Sequence, residues 1–455
     1  MKSAGHYIAG KWSLDKSGEA LQSVDPLYGL TFWQGQAVTL KQIQLALIHA
    51  KAAATQWSDL ALIDRRAKMI GLLDALNAHH PELSLIIAQE SGRPVWLVEH
   101  ALHSLIKHMS NLPLNNNRRP LGVVAIFGSP SSLNYIAQTF EVLLYGNASI
   151  LFSLPGSRAS LEKLMQLWEN LKLPTGLIQL LHTDNETASG FAKLSEIDGL
   201  IFEGDAQTAA MFKLEAAQQS AKYIQICSPS ANPLIIKDVS DIEGAAYLAV
   251  QSAFLNSGQG IHAAKRLIIA SDANGDAILD AIIAMTRSLR IAAYDANPAP
   301  FMSAMATPYA AQQALAVQAA LLKQGAEIRL PMKLIQGGTG LLSPGITVLS
   351  PTIQVPVVSG PFLQVFRADS SEHCIELANL YSASIAGIIS EDLNLVNRYA
   401  AICKAEQLYY NAPMQGYERF HSIHYPEAKI IQGSLDRARV ILPGIKLAGA
   451  TPVTL

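Results

Sequence analysis

Cys227, Cys374 and Cys403 are the only thiols of this chain and its most nucleophilic side chains. They stand far apart, and none has the C-x-x-C spacing of a metal site. An odd, sparse set argues against a disulfide framework and suits a reducing compartment. His100 and His103 lie one helical turn apart, a spacing that a metal could use. Without a third ligand, a solvated helix face accounts for them better. Residues 258–263, GQGIHA, match G-x-G-x-x-A. They follow a helical pattern and precede a strand, the reverse of the dinucleotide fingerprint, and so read as loop geometry. Residues 337–340, GGTG, read as a turn rather than a phosphate cradle.

Such groups need a scaffold to position them. Residues 40–80 alternate apolar and polar side chains at helical spacing, which predicts two amphipathic helices. Asp64 suits the N-cap of the second, Pro81 its far boundary, and a third helix should cover 82–90. The run LGVVAIFG at 121–128 is short, apolar and β-branched, as expected of a strand buried on both faces of a parallel sheet. Further strands are expected at 149–152, 177–181, 199–202, 223–226, 234–236 and 266–269, mostly separated by helical patterns. Strands alternating with helices imply a doubly wound α/β sheet. After residue 270 the alternation restarts, with helices at 280–289 and 310–324 and a second α/β layer. Residues 412–435, rich in Tyr, His, Gly and Pro, read as irregular loop.

Composition excludes several classes. Half of the 455 residues are hydrophobic and only 15% are charged, which fits a compact chain of two or three domains rather than a disordered one. A net charge of −2 leaves no basic stripe for nucleic acid. No stretch has the length and purity of a membrane span. The opening MKSAGHYIAGKW lacks the long apolar core of a secretory signal. Together with the cysteine usage, this points to the cytoplasm.

Residues 251–267, QSAFLNSGQGIHAAKRL, closely resemble the nucleophile loop of the aldehyde dehydrogenases. Weaker likenesses run along the chain in the same order: YIAGKW near the start, ESGRP at 90–94, LGVVAIFG, LLYGN at 143–147, NPLII at 232–236 and Gly360-Pro361. IDGLIFEG, ANPLII and QSAF are most similar to the branch that acts on succinylglutamic semialdehyde, in arginine catabolism. The resemblance implies a Rossmann-type, doubly wound cofactor domain, a second α/β catalytic-type domain and a reduced oligomerisation segment. The first would span 1–107 and 119–228, completed by about 403–427. The second would span 229–402, and the oligomerisation segment 108–118 and 428–455.

Aldehyde oxidation of this type needs a thiolate, a carboxylate base and an amide for the oxyanion. The resemblance puts Ile261 at the thiol position, Cys227 at the base and Ser131 at the oxyanion asparagine. An isoleucine has no lone pair with which to attack a carbonyl. The implied cofactor positions are altered too. Ser153 stands where relatives have a ribose-binding lysine, and Val357 where they have a glutamate near the nicotinamide ribose. In FEGDAQTA, Gly204 is kept, but Asp205 follows it and Ala209 replaces the last glycine. Carboxylates at a helix N-terminus would repel a pyrophosphate. The expectation is no NAD(P) binding, or weak binding, in a catalytically inactive member of the family. Its partners would be a small-molecule ligand in the former aldehyde tunnel, a second copy in a homodimer, or an active relative. The rival is an active oxidoreductase or thiol hydrolase whose nucleophile has moved to Cys227, paired with His262 across facing loops.

Overall fold

The computed structural model describes residues 2–15, 17–112, 114, 119–128, 132–217, 223–350, 357, 359–415 and 429–432. The chain forms two compact units. Unit 1 comprises Met1–Ser91, Val95–Ser228 and Glu418–His424, and unit 2 comprises Gly92–Pro94, Pro229–Tyr417 and Tyr425–Leu455.

Unit 1 opens with a hairpin of β1 (His6–Ile8) and β2 (Lys11–Ser13). Its turn places Ala9 and Gly10 at positive φ, the pair of left-handed residues that a tight hairpin demands. A ribbon of β3 (Ala20–Val24) and β4 (Thr31–Gln36) follows. The main sheet adds β5 (Val123–Gly128), β6 (Ala148–Ser153), β7 (Ile178–His182), β8 (Gly199–Glu203) and β9 (Tyr223–Cys227). Across the sheet the order is β2-β1-β7-β6-β5-β8-β9, with β5 to β9 parallel. Every residue of β5 and β6 is buried, as a strand covered on both faces must be. The order reverses between β5 and β8, whose carboxyl ends form the topological switch point.

The helices of unit 1 are α1 (Leu40–Ser58), α2 (Leu62–Ser91), α3 (Val95–Ser110), α4 (Asn134–Leu144), α5 (Arg158–Trp168), α6 (Asn185–Gly190) and α7 (Ala206–Ala216). A capping box starts α1: Gln42 N–H donates to Thr39 Oγ1, and Thr39 N–H to Gln42 Oε1. Two expectations fail in α2. Asp64 lies inside the first turn, because the Ala61 carbonyl already accepts from the N–H groups of Asp64 and Arg65. Pro81 does not end the helix, which runs on to Ser91 and absorbs the expected third helix. Proline removes the donor that Asn77 C=O would otherwise receive. His80 Nδ1–H supplies it instead at 2.9 Å, and buried Leu83, Ile87 and Ala88 continue the packed face.

Unit 2 holds an eight-stranded sheet of β10 (Pro233–Ile236), β11 (Arg266–Ala270), β12 (Glu327–Leu330), β13 (Gly345–Val348), β14 (Phe362–Ala368), β15 (Ile385–Ile389), β16 (Gln407–Tyr410) and β17 (Lys429–Gln432). The order is β12-β13-β14-β11-β10-β15-β16-β17, parallel except at the β12 edge. β17 corrects the expectation of loop through 412–435. Its four residues, KIIQ, are too few to show a period among their Tyr- and Pro-rich neighbours. The helices are α8 (Ile242–Phe254), α9 (Ala273–Arg287), α10 (Pro308–Lys323), α11 (Ser371–Ala378) and α12 (Leu393–Ile402). Asp241, Asp272, Thr307, Ser370 and Asp392 each cap one of them through a side-chain oxygen. Among the described residues no helix is long and apolar enough to cross a membrane.

Candidate functional site

In unit 2, α8 runs into a loop that precedes β11. Asn256, Ser257 and Gly258 all adopt left-handed φ, 55°, 52° and 62°, so the chain makes one reversed turn there. Asn and Gly tolerate that conformation, whereas a serine in it is strained. The loop is held by backbone-directed side chains. Ser257 Oγ donates to Ser303 C=O at 2.8 Å, and Gln259 Oε1 accepts from Ala306 N–H at 2.8 Å. Asn232 Nδ2 donates to both Ile261 C=O (2.7 Å) and Ala263 C=O (3.0 Å). Gln251 Nε2 donates to Gln415 C=O and Gln415 Nε2 returns a bond to Ser252 C=O, at 2.9 and 2.8 Å. Gly258 cannot carry a Cβ, because it would lie 2.3 Å from Gly360 C=O.

Within this frame Ile261 is buried, at 8% exposure, and its side chain offers only hydrocarbon. His262 turns its ring edge-on to Tyr409, with centroids 6.4 Å apart. Lys265 is buried just before β11, its amine on the carbonyls of Gly258 and Gly360.

In unit 1 the other expected site residues gather at the carboxyl ends of the parallel strands. Ser153 ends β6 and is fully buried. Its hydroxyl donates to His182 Nδ1 at 2.7 Å, while His182 Nε2–H donates to Gly5 C=O at 3.0 Å. Next to this pair, Glu162 accepts from Ser3 Oγ, Ala4 N–H and Trp33 Nε1 at 2.7–2.9 Å. Burial pushes His182 well below the ordinary imidazole value, reinforced by His6 alongside, and pushes His6 down to about 4. Both rings are therefore neutral near pH 7.

At the switch point, Glu203 closes β8 and is buried. Its Oε2 accepts from Asn134 Nδ2 at the start of α4, at 2.8 Å. Asp205 is the N-cap of α7 and accepts from Thr208 N–H and Thr208 Oγ1, both at 2.8 Å. Gly204 lies between the two carboxylates, and Ala209 is buried in α7. Glu90 of ESGRP caps α5, accepting from Ala159 and Ser160 N–H at 2.9 Å each. Cys227 ends β9 at the sheet edge, partly exposed. The structure thus groups Ser153, Gly204, Asp205, Ala209 and Cys227 in unit 1, and Ile261 and His262 in unit 2. Val357 is exposed in unit 2, at 40%. Ser131 lies outside the described residues.

Burial pushes the Cys374 thiol up to about 11, which makes it a poor nucleophile. Residues 337–340 form a turn, as expected. His103 stands exposed on α3, its Nδ1–H on Glu99 C=O at 2.9 Å and its ring against His80. Among the described residues, no group of three or more His, Cys, Asp or Glu could hold a metal ion.

The sequence reading missed Lys265, Asn232, His182 and Glu162. A signal existed for two of them. Lys265 sits in AAKRLIIA and His182 ends IQLLH, polar residues abutting runs too apolar to be exposed.

The model of the aldehyde dehydrogenase family matches residues 12–422. The chain belongs to the aldehyde dehydrogenase family. Among curated relatives, it is 30% identical over 433 residues to the N-succinylglutamate 5-semialdehyde dehydrogenase of Escherichia coli (strain K12), covering 90% of this chain and 88% of that protein. It is 31% identical, with the same coverage, to the protein of that name from Cronobacter sakazakii (strain ATCC BAA-894). The fold of the family recurs in solved structures. Lactaldehyde dehydrogenase from Escherichia coli superposes with a TM-score of 0.82 at 18% identity, covering 90% of this chain and 91% of that one. Betaine aldehyde dehydrogenase from Staphylococcus aureus, in complex with NAD+, gives 0.81 at 18%, covering 90% and 87%. The resemblance carried by QSAFLNSGQGIHAAKRL therefore extends over residues 12–422 and, in fold, over about 90% of the chain.

Proposed function

We propose that this chain keeps the aldehyde dehydrogenase fold without its thiol chemistry, and acts as a cytoplasmic ligand-binding or partner protein. One observation carries the reading: a hydrocarbon side chain, Ile261, is buried in a loop braced by the hydrogen bonds of Asn232 and Gln259. A side chain of hydrocarbon alone at the family's nucleophile position cannot attack an aldehyde. The ligand class that the resemblance favours is a semialdehyde carrying carboxylates, and the partner a second copy or an active relative.

The residues at the carboxyl ends of unit 1 support weak or absent NAD(P) binding. Ser153, at the family's ribose-lysine position, spends its hydroxyl on His182 and has no exposed surface. Glu203 and Asp205 place carboxylates at the starts of α4 and α7, where a helix would otherwise attract phosphate. Glu90 does not discriminate, since it belongs to a motif that the family shares. The active relatives' NAD+ would supply a hydride acceptor, and these residues do not fit its phosphates.

The deciding experiment incubates the protein with NAD or NADP and a panel of semialdehydes, N-succinylglutamate 5-semialdehyde among them. We expect no nicotinamide reduction above a heat-killed control, in wild type or in Ile261→Cys; turnover by wild type overturns the reading. The rival, with chemistry moved to Cys227, draws on the partial exposure of that thiol. An electrophilic thiol probe at neutral pH separates the two. If Cys227 labels no faster than Cys403, the rival fails.

A further inference from the structure

Lys265 has no part in the reading above, yet its surroundings are unusual. The residue is 3% exposed. Its Nζ donates to the carbonyls of Gly258, on the reversed turn, and Gly360, just before β14 (the latter at 3.1 Å). Those two backbones are already in contact, since Gly360 N–H donates to Gly258 C=O at 3.2 Å. The amine therefore ties together two segments that touch without side chains of their own. Every described group bonded to the residue is neutral. Lys265 N–H donates to Asn232 C=O on the β10 side, and Lys265 C=O accepts from Gln364 N–H of β14, both at 3.0 Å. Arg266, the neighbouring cation, sends its guanidinium elsewhere, to the carbonyls of Ala231, Leu377 and Ala378. His262 faces Tyr409, and Gln259 is bonded to Ala306.

We propose that Lys265 is a positioning residue whose amine clamps the 255–261 loop onto the Gly360–Pro361 turn, and that the clamp is operated by a proton. Two acceptors face the nitrogen, and a neutral amine has two N–H donors. An ammonium has three, and among the described residues it would have one unpaired and a charge without a counter-ion. Burial accordingly pushes this lysine down from 10.5 to about 7. When the loop opens, the amine returns to water and to the ordinary lysine range. Opening then takes up a proton between about pH 7 and the ordinary value near 10.4. Within that window each unit fall in pH makes opening about tenfold easier, and below about 7 the response levels off. The inference does not depend on whether the chain binds a ligand or a cofactor, so it stands or falls separately from the proposed function.

The test is hydrogen exchange on the millisecond scale from pH 6 to 9.5, corrected for intrinsic rates, following the amides of Gln259, Ala263 and Gly360. In wild type their protection should fall about tenfold per unit from about pH 9.5 to about 7 and then stay level. In Lys265→Met, which has no amine, and Lys265→Arg, which stays charged, protection should not vary with pH. A wild-type slope matching that of Lys265→Met overturns the proposal. A second measurement needs no variant: in wild type labelled at lysine Cε, one resonance should titrate near pH 7. If every lysine titrates above pH 9, the proposal is wrong.

Discussion

The carboxyl ends of the unit 1 strands and the α8–β11 loop of unit 2 use their polar side chains in opposite ways. At the carboxyl ends of the unit 1 strands the polar side chains bond one another: Ser153 with His182, Glu203 with Asn134, Asp205 with Thr208. In unit 2 the polar side chains of Asn232 and Gln259 bond backbone groups, and Ile261 in the loop they brace is buried hydrocarbon. On the proposed reading, a binding site is lost by turning its groups inward, and a reactive one by substitution that leaves the loop's supports alone.

Breaking the supports in unit 2 should have the largest effect. Asn232→Leu strands the carbonyls of Ile261 and Ala263 in a buried loop, for a loss of about 2–5 kcal/mol. Urea unfolding measures it, and a loss below about 1 kcal/mol would mean that the loop is not braced as described. Acid should next separate the units. The folded His6 titrates at about 4, whereas an unfolded histidine does so near 6.5. Over that window the unfolded state binds the extra proton, so stability falls with pH, by about 3 kcal/mol in all for His6. His182 acts in the same direction. Glu90, pushed up by burial, acts in the opposite one above about 4.5 and offsets part of the loss. All five tryptophans lie in unit 1, so their fluorescence reports that unit alone. Its urea midpoint should drop from pH 6.5 to 4 while exchange protection in β10 and β11 holds; a parallel drop in both would erase the distinction. The smallest effect sharpens the unit 1 side. Asp205→Ala should cost about 1 kcal/mol as a lost cap, and still leave NAD unbound by calorimetry, because Glu203 and Ser153 remain.

Strands in parallel, fully buried positions were legible as apolar runs. The runs at 121–128, 149–152 and 266–269 became β5, β6 and β11 with ends shifted by one or two residues. The α2 continuation was not, because what rescues a proline is a histidine ring whose tautomer no pattern encodes. Position 261 and the acidic start of α7 stand out only against the motif that the family resemblance implies. The inward bonding of Ser153 was not. It depends on His182, Gly5 and Glu162 converging from three places in the chain, and only the folded sheet brings them together.

The order in which the strands are made has one more consequence. Everything in the unit 1 sheet has been synthesised by Cys227, whereas the unit 2 sheet waits for β17, some two hundred residues later. Amino-terminal domains fold first on the ribosome. During translation, then, a complete first sheet is followed by a second whose β16 edge stays unpaired until β17 emerges, and such an edge is open to pairing with another chain.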